Sequence, residues 1–347
     1  MTRNNHVPLE AILAVSVLLS VGCGKQSTTV DPAKLTNFAV LPEAPTAGAR
    51  DFIAKIDLGR MLYYDARLSR SQTISCSSCH PLSAYGADGK ATSDGHGGQR
   101  GTRNSPTVYN AALQFAQFWD GRAPDVEKQA QGPMLNPVEM AMRSEKAVAA
   151  VLKSMPGYVT AFRQAFPGDK DPVTFRHASE AIGLFERGLI TPSRWDKFLK
   201  GDQTALTPEE KAGFNRFVAT GCDTCHVGTL VGGGAFQKLG VMKEYPDTSD
   251  PGRYQVTQNQ GDRMVFKVPS LRNVAMTAPF FHNGKVATLQ DAVSQMAEYQ
   301  TGRQLALADR DAIVTWLKSL TGEINAAYIK QPDLPKSTSR TPKPEAI

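Results

Sequence analysis

Apolar side chains recur at helical spacing in several stretches, separated by long polar segments rich in glycine and proline. Ile56, Gly59, Leu62 and Tyr63 share one face of a segment beginning near Asp51. Thr207-Pro208-Glu209-Glu210 reads as a capping box with proline at the first helical position, and Gly213, Phe214 and Phe217 follow on one face. The stretches 144–166 and 173–189 carry the same period. Residues 309–320 place Ile313, Trp316, Leu317 and Leu320 on one side, with Gly322 as a stop. No stretch sustains the two-residue alternation of a half-buried strand, so the expected fold class is mostly α with long loops.

The N-terminus reads differently. Residues 11–22 are an apolar run too short to span a bilayer, and the run ends in Ser20-Val21-Gly22-Cys23. This end resembles a bacterial lipoprotein signal, in which the cysteine is lipidated and becomes the mature N-terminus. Leu19 stands one place earlier than the usual position. Residues 1–23 are therefore expected to be a signal and lipoprotein segment, and 24–45 a polar, Pro/Ala-rich linker. The implied location is the periplasm, with membrane attachment through the lipid alone. Residues 328–347, rich in Pro, Lys and Ser, read as a disordered tail.

Two runs carry the chemistry: Cys76-Ser77-Ser78-Cys79-His80 and Cys222-Asp223-Thr224-Cys225-His226. Cys-x-x-Cys-His is the pattern of covalent c-type haem attachment. Two thiols at this spacing add to the two vinyl groups of one porphyrin, and the adjacent imidazole reaches the iron. A zinc half-site or a redox disulfide is the alternative for a bare Cys-x-x-Cys. The histidine following both pairs favours haem. Four of the five cysteines are thereby used, leaving only Cys23 and no disulfide within one chain. Two haems imply two haem domains, 46–190 and 191–327, each with a helix leading into its motif.

Charge adds little. The 347-residue chain has a formal net charge of +6, and four haem propionates would bring the holoprotein to roughly +2 before counting iron. No Lys/Arg block supports a nucleic-acid partner.

The sixth iron ligand separates an electron carrier from a catalyst. Of six histidines, His80 and His226 are proximal candidates and His6 lies in the signal, which leaves His96, His177 and His282. His96, flanked by Gly95, Gly97 and Gly98, sits in a loop able to reach a haem and to leave it. His177 falls on a helical stretch with no role to claim. His282, in Pro279-Phe280-Phe281-His282-Asn283-Gly284, could meet a propionate or close a turn. For the second haem a methionine is expected, and spacing leaves Met242, Met264, Met276 and Met296 open.

The runs CSSCH, GHGGQRGTRNSPTVYNA, FWDGRAPDVEKQAQGPMLNPVEM, FERGLITP, GCDTCH and FKVPSLRNVAMTAPFFHNG occur in this order. With them, residues 50–325 or so resemble the bacterial dihaem cytochrome c peroxidases. The resemblance implies two cytochrome c-like α domains and reduction of hydrogen peroxide to water. Electrons would come from a small soluble cytochrome c or a cupredoxin, and the enzyme would be a homodimer. His80 and His96 would ligate the first, peroxidatic haem; His226 and Met296 would ligate the second, electron-receiving one. The resemblance makes Glu139 the distal acid/base, Gln129 its pocket partner, and Trp119 a residue on the electron path between the haems. It also implies calcium between the domains at Asn104, Thr277 and Pro279, the last two through carbonyl oxygens. It places the last helix back near the first domain.

Two other classes compete. One comprises dihaem enzymes that mature a tryptophan-derived quinone cofactor, which use a tyrosine as the second haem's distal ligand; Tyr299 is the nearest tyrosine to Met296. The other is an electron carrier with both irons permanently six-coordinate, which needs neither Glu139 nor a glycine-flanked His96.

Overall fold

The computed structural model describes residue 1, residues 28–45 and residues 47–345. The apolar run and Cys23 lie outside these residues. No described helix is long and apolar enough to cross a membrane.

The first half is a helical cluster. Helix α1 (Arg50–Tyr64) buries Ile56, Leu58, Gly59, Leu62 and Tyr63, the face that the sequence period marks. Helix α2 (Val126–Leu135) starts at Asp125, whose carboxylate accepts the Lys128 N–H at 2.7 Å. The helical stretch 144–166 is two helices, α3 (Glu145–Lys153) and α4 (Pro156–Ala165). The break falls at Met155 because a residue before proline is pushed out of the helical region. Helix α5 (Phe175–Arg187), capped by Thr174, packs against α1 and α2 at the centre of this core.

The second half is built the same way. Helix α6 (Arg194–Leu199) leads to α7 (Pro208–Thr220), which begins with the expected capping box and ends at Gly221, whose φ is 88°. Two three-residue strands, β1 (Phe236–Lys238) and β2 (Val265–Lys267), pair antiparallel and are too short to show an alternating pattern in sequence. Helices α8 (Leu289–Thr301) and α9 (Leu307–Lys318) complete the domain. Helix α9 packs along α7, and Trp195, Phe214, Phe217, Ile313 and Trp316 form one aromatic-rich core.

Both ends of the described chain depart from the sequence expectation. The segment expected to be a free linker is docked on the second domain. Phe38 packs edge-on against Trp195 and Phe214. The Leu41 N–H donates to Asp196 Oδ1 at 2.8 Å, and the Gly228 N–H donates to the Asn37 carbonyl. Composition hid these anchors because Val30, Leu35, Phe38 and Leu41 are spread thinly among polar residues.

The tail expected to be disordered crosses to the first domain. Tyr328 stacks on Phe185 and donates to the Phe185 carbonyl. Arg67 donates to the Pro335 carbonyl at 2.8 Å, and Glu345 accepts from Arg70 Nε at 2.7 Å and from Arg143 Nε at 2.7 Å. The last helix therefore stays with the second core, and the tail after it, not the helix, returns to the first. Its few aromatic and charged side chains find long-range partners that composition cannot reveal.

Candidate haem-binding active site

In the first motif, Cys76 to Cys79 form one helical turn, which brings both thiols beside His80. The ring of His80 lies with Nδ1 3.1 Å from the Gly86 carbonyl. A carbonyl accepts only, so the proton resides on Nδ1 and the Nε2 lone pair is left for a metal. The second motif repeats the device. Cys222 to Thr224 form a tighter turn, and His226 Nδ1 lies 3.3 Å from the Val231 carbonyl. Burial lowers the pKa of His80, and that of His226 to about 4, so both rings stay neutral and able to ligate. Burial also pushes the Cys222 thiol up to about 12.

The loop under His226 needs a glycine. Gly232 has φ 127°, and a Cβ there would lie 2.2 Å from the Pro269 carbonyl oxygen and 3.1 Å from His226 Nδ1. A cavity of about 500 Å³ opens beside Cys225. Leu113 and Phe115 of the first domain and Val227, Gly232, Phe236 and Val268 of the second line it.

His96 is not a solvated loop residue. It is buried, and its Nδ1 has no partner among the described residues. Its backbone N–H donates to the Val138 carbonyl at 3.0 Å and to the Glu139 carbonyl at 2.8 Å. The approach is so close that a Cβ on Gly95 would stand 1.9 Å from the Val138 oxygen. The loop after it turns through Gly97 and Gly98, with φ of 67° and 72°. Glu139 is thereby held next to His96 in space although far from it in sequence. Its Oε1 accepts from Asn136 Nδ2 at 2.6 Å. Burial raises the Glu139 pKa, while the charge of Arg122 and the Asn136 bond oppose the rise. Gln129 is partly buried on α2, which leads into the Glu139 loop.

Between the domains, Trp119 donates through Nε1 to the Asn104 carbonyl at 2.9 Å, and its own carbonyl accepts the Lys267 N–H at 2.8 Å. The Asn104 N–H donates to the His282 carbonyl at 2.7 Å, which ties Asn104 to the loop containing Thr277 and Pro279. His282 is buried, stacks on Phe266 at 4.3 Å and has an unpartnered Nε2. Met296 on α8 and Trp119 pack against one cluster with Met264, Phe266 and Tyr299. Met242 and Met276 are exposed, whereas Met264 and Met296 pack in the cluster with Trp119. His177 is structural: Nδ1 lies 2.8 Å from the Pro172 carbonyl and the ring stacks on Phe166.

Sequence reasoning missed three buried groups near these sites. Arg103 joins Asp120 at 2.5 Å to Asp250, through a fork of 2.6 and 2.8 Å, across the two halves of the chain. Glu186 is buried near Cys76, and burial followed by the charge of Glu127 pushes it up to about 8. Lys267 is buried in β2. The only signal was their position inside or beside the runs that carry the resemblance.

Two neutral proximal imidazoles, four unpaired thiols in pairs and a buried histidine with a free ring nitrogen fit two c-type haems. Such a site defines a dihaem c-type protein. The family model for di-haem cytochrome c peroxidase matches residues 53–204. The chain is 47% identical to the cytochrome c551 peroxidase of Pseudomonas aeruginosa, over 83% of this chain and 84% of that one. It is 44% identical to the cytochrome c551 peroxidase of Nitrosomonas europaea, over 98% of each. Among solved structures, a MauG-like protein associated with microbial copper homeostasis superposes with a TM-score of 0.73 at 26% identity, covering 85% of this chain and 96% of that one. The chain belongs to the dihaem cytochrome c peroxidase family, whose members are haem-bearing oxidoreductases of the peroxidase type.

Proposed function

We propose that this protein reduces hydrogen peroxide to two waters, taking two protons from solvent and two electrons from a small soluble cytochrome c or cupredoxin. The observation that carries this reading is the backbone pairing of the His96 loop with Val138 and Glu139, which sets a releasable imidazole beside a partly buried carboxylate. A haem held there would supply the redox chemistry by which peroxide is reduced. His80, with Nε2 left free, and His96, with its unpartnered ring, would be the residues that hold the first haem. The glycine hinge at 97–98 lets His96 withdraw. Glu139 then takes a proton from one peroxide oxygen and returns it to the other, so that water leaves; Gln129 helps to position the substrate. His226 and Met296 hold the second iron, and a thioether ligand gives that site the higher potential. Trp119, bonded to Asn104 on one side and Lys267 on the other, lies on the route between the haems.

A calcium ion at Asn104 and the carbonyls of Thr277 and Pro279 belongs to the same reading, supported by the bond that ties Asn104 to the His282 loop. It would steady the contact on which coupling between the haems depends. If a chelator leaves the half-reduced spectrum unchanged, that ion is not used. Lipidation at Cys23, a periplasmic location and a homodimer complete the proposal; a Cys23→Ser form still in the membrane fraction would end the anchor reading.

The deciding experiment is peroxide consumption by the dihaem protein with reduced cytochrome c, before and after one-electron reduction. Turnover that appears only after reduction supports a peroxidase gated by His96. No turnover in either state, with both haems low-spin, points to an electron carrier. Met296→His should abolish the thioether charge-transfer band while Tyr299→Phe keeps it; a native protein without that band, whose spectrum changes in Tyr299→Phe and not in Met296→His, favours the quinone-maturing class.

A further inference from the structure

Lys267 is a largely buried lysine with no counterion among the described residues. Only 7% of the residue is exposed, yet its ammonium takes no hydrogen bond or ion pair among the described residues. Burial alone acts on it, pushing its pKa down to about 8. Leaving a cation without an anion in a low-dielectric site costs several kcal/mol, so buried lysines are paired or functional.

The strand register shows where the side chain goes. Lys267 stands directly opposite Phe236 in the β1–β2 pair, so the two side chains leave the same face. Phe236 lines the cavity beside Cys225, so the Lys267 side chain leaves the strand next to that lining without being part of it. On the opposite face Phe266 stacks with His282. The Lys267 N–H is bonded to the Trp119 carbonyl, which fixes the strand at the boundary between the domains.

We propose that Lys267 is the ammonium partner of a propionate of the second haem, the one attached at Cys222 and Cys225. The pair anchors that propionate beside Trp119 and raises the potential of the haem. It acts as a positioning residue for electron transfer. The inference rests on the assignment of His226 and Met296 to the second iron. A cation close to the porphyrin favours the electron-rich ferrous state, and the effect is large where water is excluded.

The test is a spectroelectrochemical titration of both haems in the native holoprotein, Lys267→Gln and Lys267→Arg. In Lys267→Gln the reduction equilibrium of the thioether-ligated haem should fall by roughly tenfold or more, with the bis-histidine haem unmoved. Lys267→Arg should restore the native value. An unchanged equilibrium in Lys267→Gln, or a shift confined to the bis-histidine haem, overturns the proposal. If Lys267→Gln fails to load haem, the propionate-bending band in the resonance Raman spectrum of Lys267→Arg decides. A band at the position of a hydrogen-bonded propionate upholds the pair, and one at the position of a free propionate overturns it. A native protein lacking the thioether band would instead defeat the ligand assignment, so the two failures are distinct.

Discussion

Glu139 shows how one residue takes its chemistry from its surroundings. On an exposed turn it would be an ordinary carboxylate. Here burial raises its proton affinity, while the Arg122 charge and the Asn136 amide hold the rise in check. That upward shift suits a group that must both accept and return a proton. Glu139→Ala should keep both haem spectra and lose peroxide turnover by about two orders of magnitude or more. Undiminished stopped-flow turnover in that variant would remove Glu139 from the mechanism. Gly95 offers a second test at the same scale. A methyl group there would meet the Val138 carbonyl, so Gly95→Ala should push the His96 and Glu139 loops apart. The expected sign is a high-spin first haem in the fully oxidised protein, read from its absorption spectrum; a purely low-spin spectrum would show that the loop tolerates the change.

At the scale of elements, the same short device appears twice: a helix, a cysteine turn, and a proximal histidine whose Nδ1 faces a carbonyl. The tail adds an element that no helical period announces. Glu345 bridges Arg143 and Arg70, and the Arg70 N–H bonds the Met140 carbonyl, next to Glu139. The bonds from Arg143 and then Arg70 depress the Glu345 pKa to about 2. A carboxylate whose folded value is depressed stabilises above its unfolded value, roughly 4.3, and loses that contribution as pH falls toward the folded value. The carboxylate is open to solvent on one side, so the effect is local and salt-sensitive. Protection of the 330–345 amides relative to their intrinsic exchange rates should therefore fall between pH 5 and pH 2, or with added salt at neutral pH; equal protection at both ends would show that the clasp is not ionic.

The whole molecule is clasped by its own ends. The segment before α1 packs on the second domain and the tail after α9 packs on the first. Between them, Arg103 holds Asp120 and the buried Asp250 next to Asn104 and Trp119; Asp120 also pairs with Arg122, so among the described residues Asp250 is the carboxylate that depends on Arg103 alone. Removing one partner of a buried ion pair leaves charge uncompensated, at a cost of roughly 3–5 kcal/mol. Arg103→Gln should lower stability in denaturant titration by about that amount, and should slow electron transfer between the haems because the contact around Trp119 loosens. A stability loss with unchanged interhaem transfer would show that the triad supports the fold alone.

The haem motifs, the helical class and the faces of α1, α7 and α9 were legible in the chain because each depends on residues close in sequence: a fixed thiol spacing, a cap, a repeat every three to four positions. Local pattern also singled out the glycine-flanked His96, but it could not join that residue to Glu139, since the link runs through backbone bonds between distant loops. It left four methionines open, and only packing showed Met242 and Met276 at the surface. The docked N-terminal segment, the tail, Arg103 and the buried Lys267 were invisible for the same reason. Their significance comes from partners, or the lack of partners, hundreds of residues away or across the domain boundary. The sequence by itself determined which groups can bind haem and which segments are helices. Tertiary structure decided which distal groups converge, because burial and long-range hydrogen bonding are properties of the folded chain and not of any window along it.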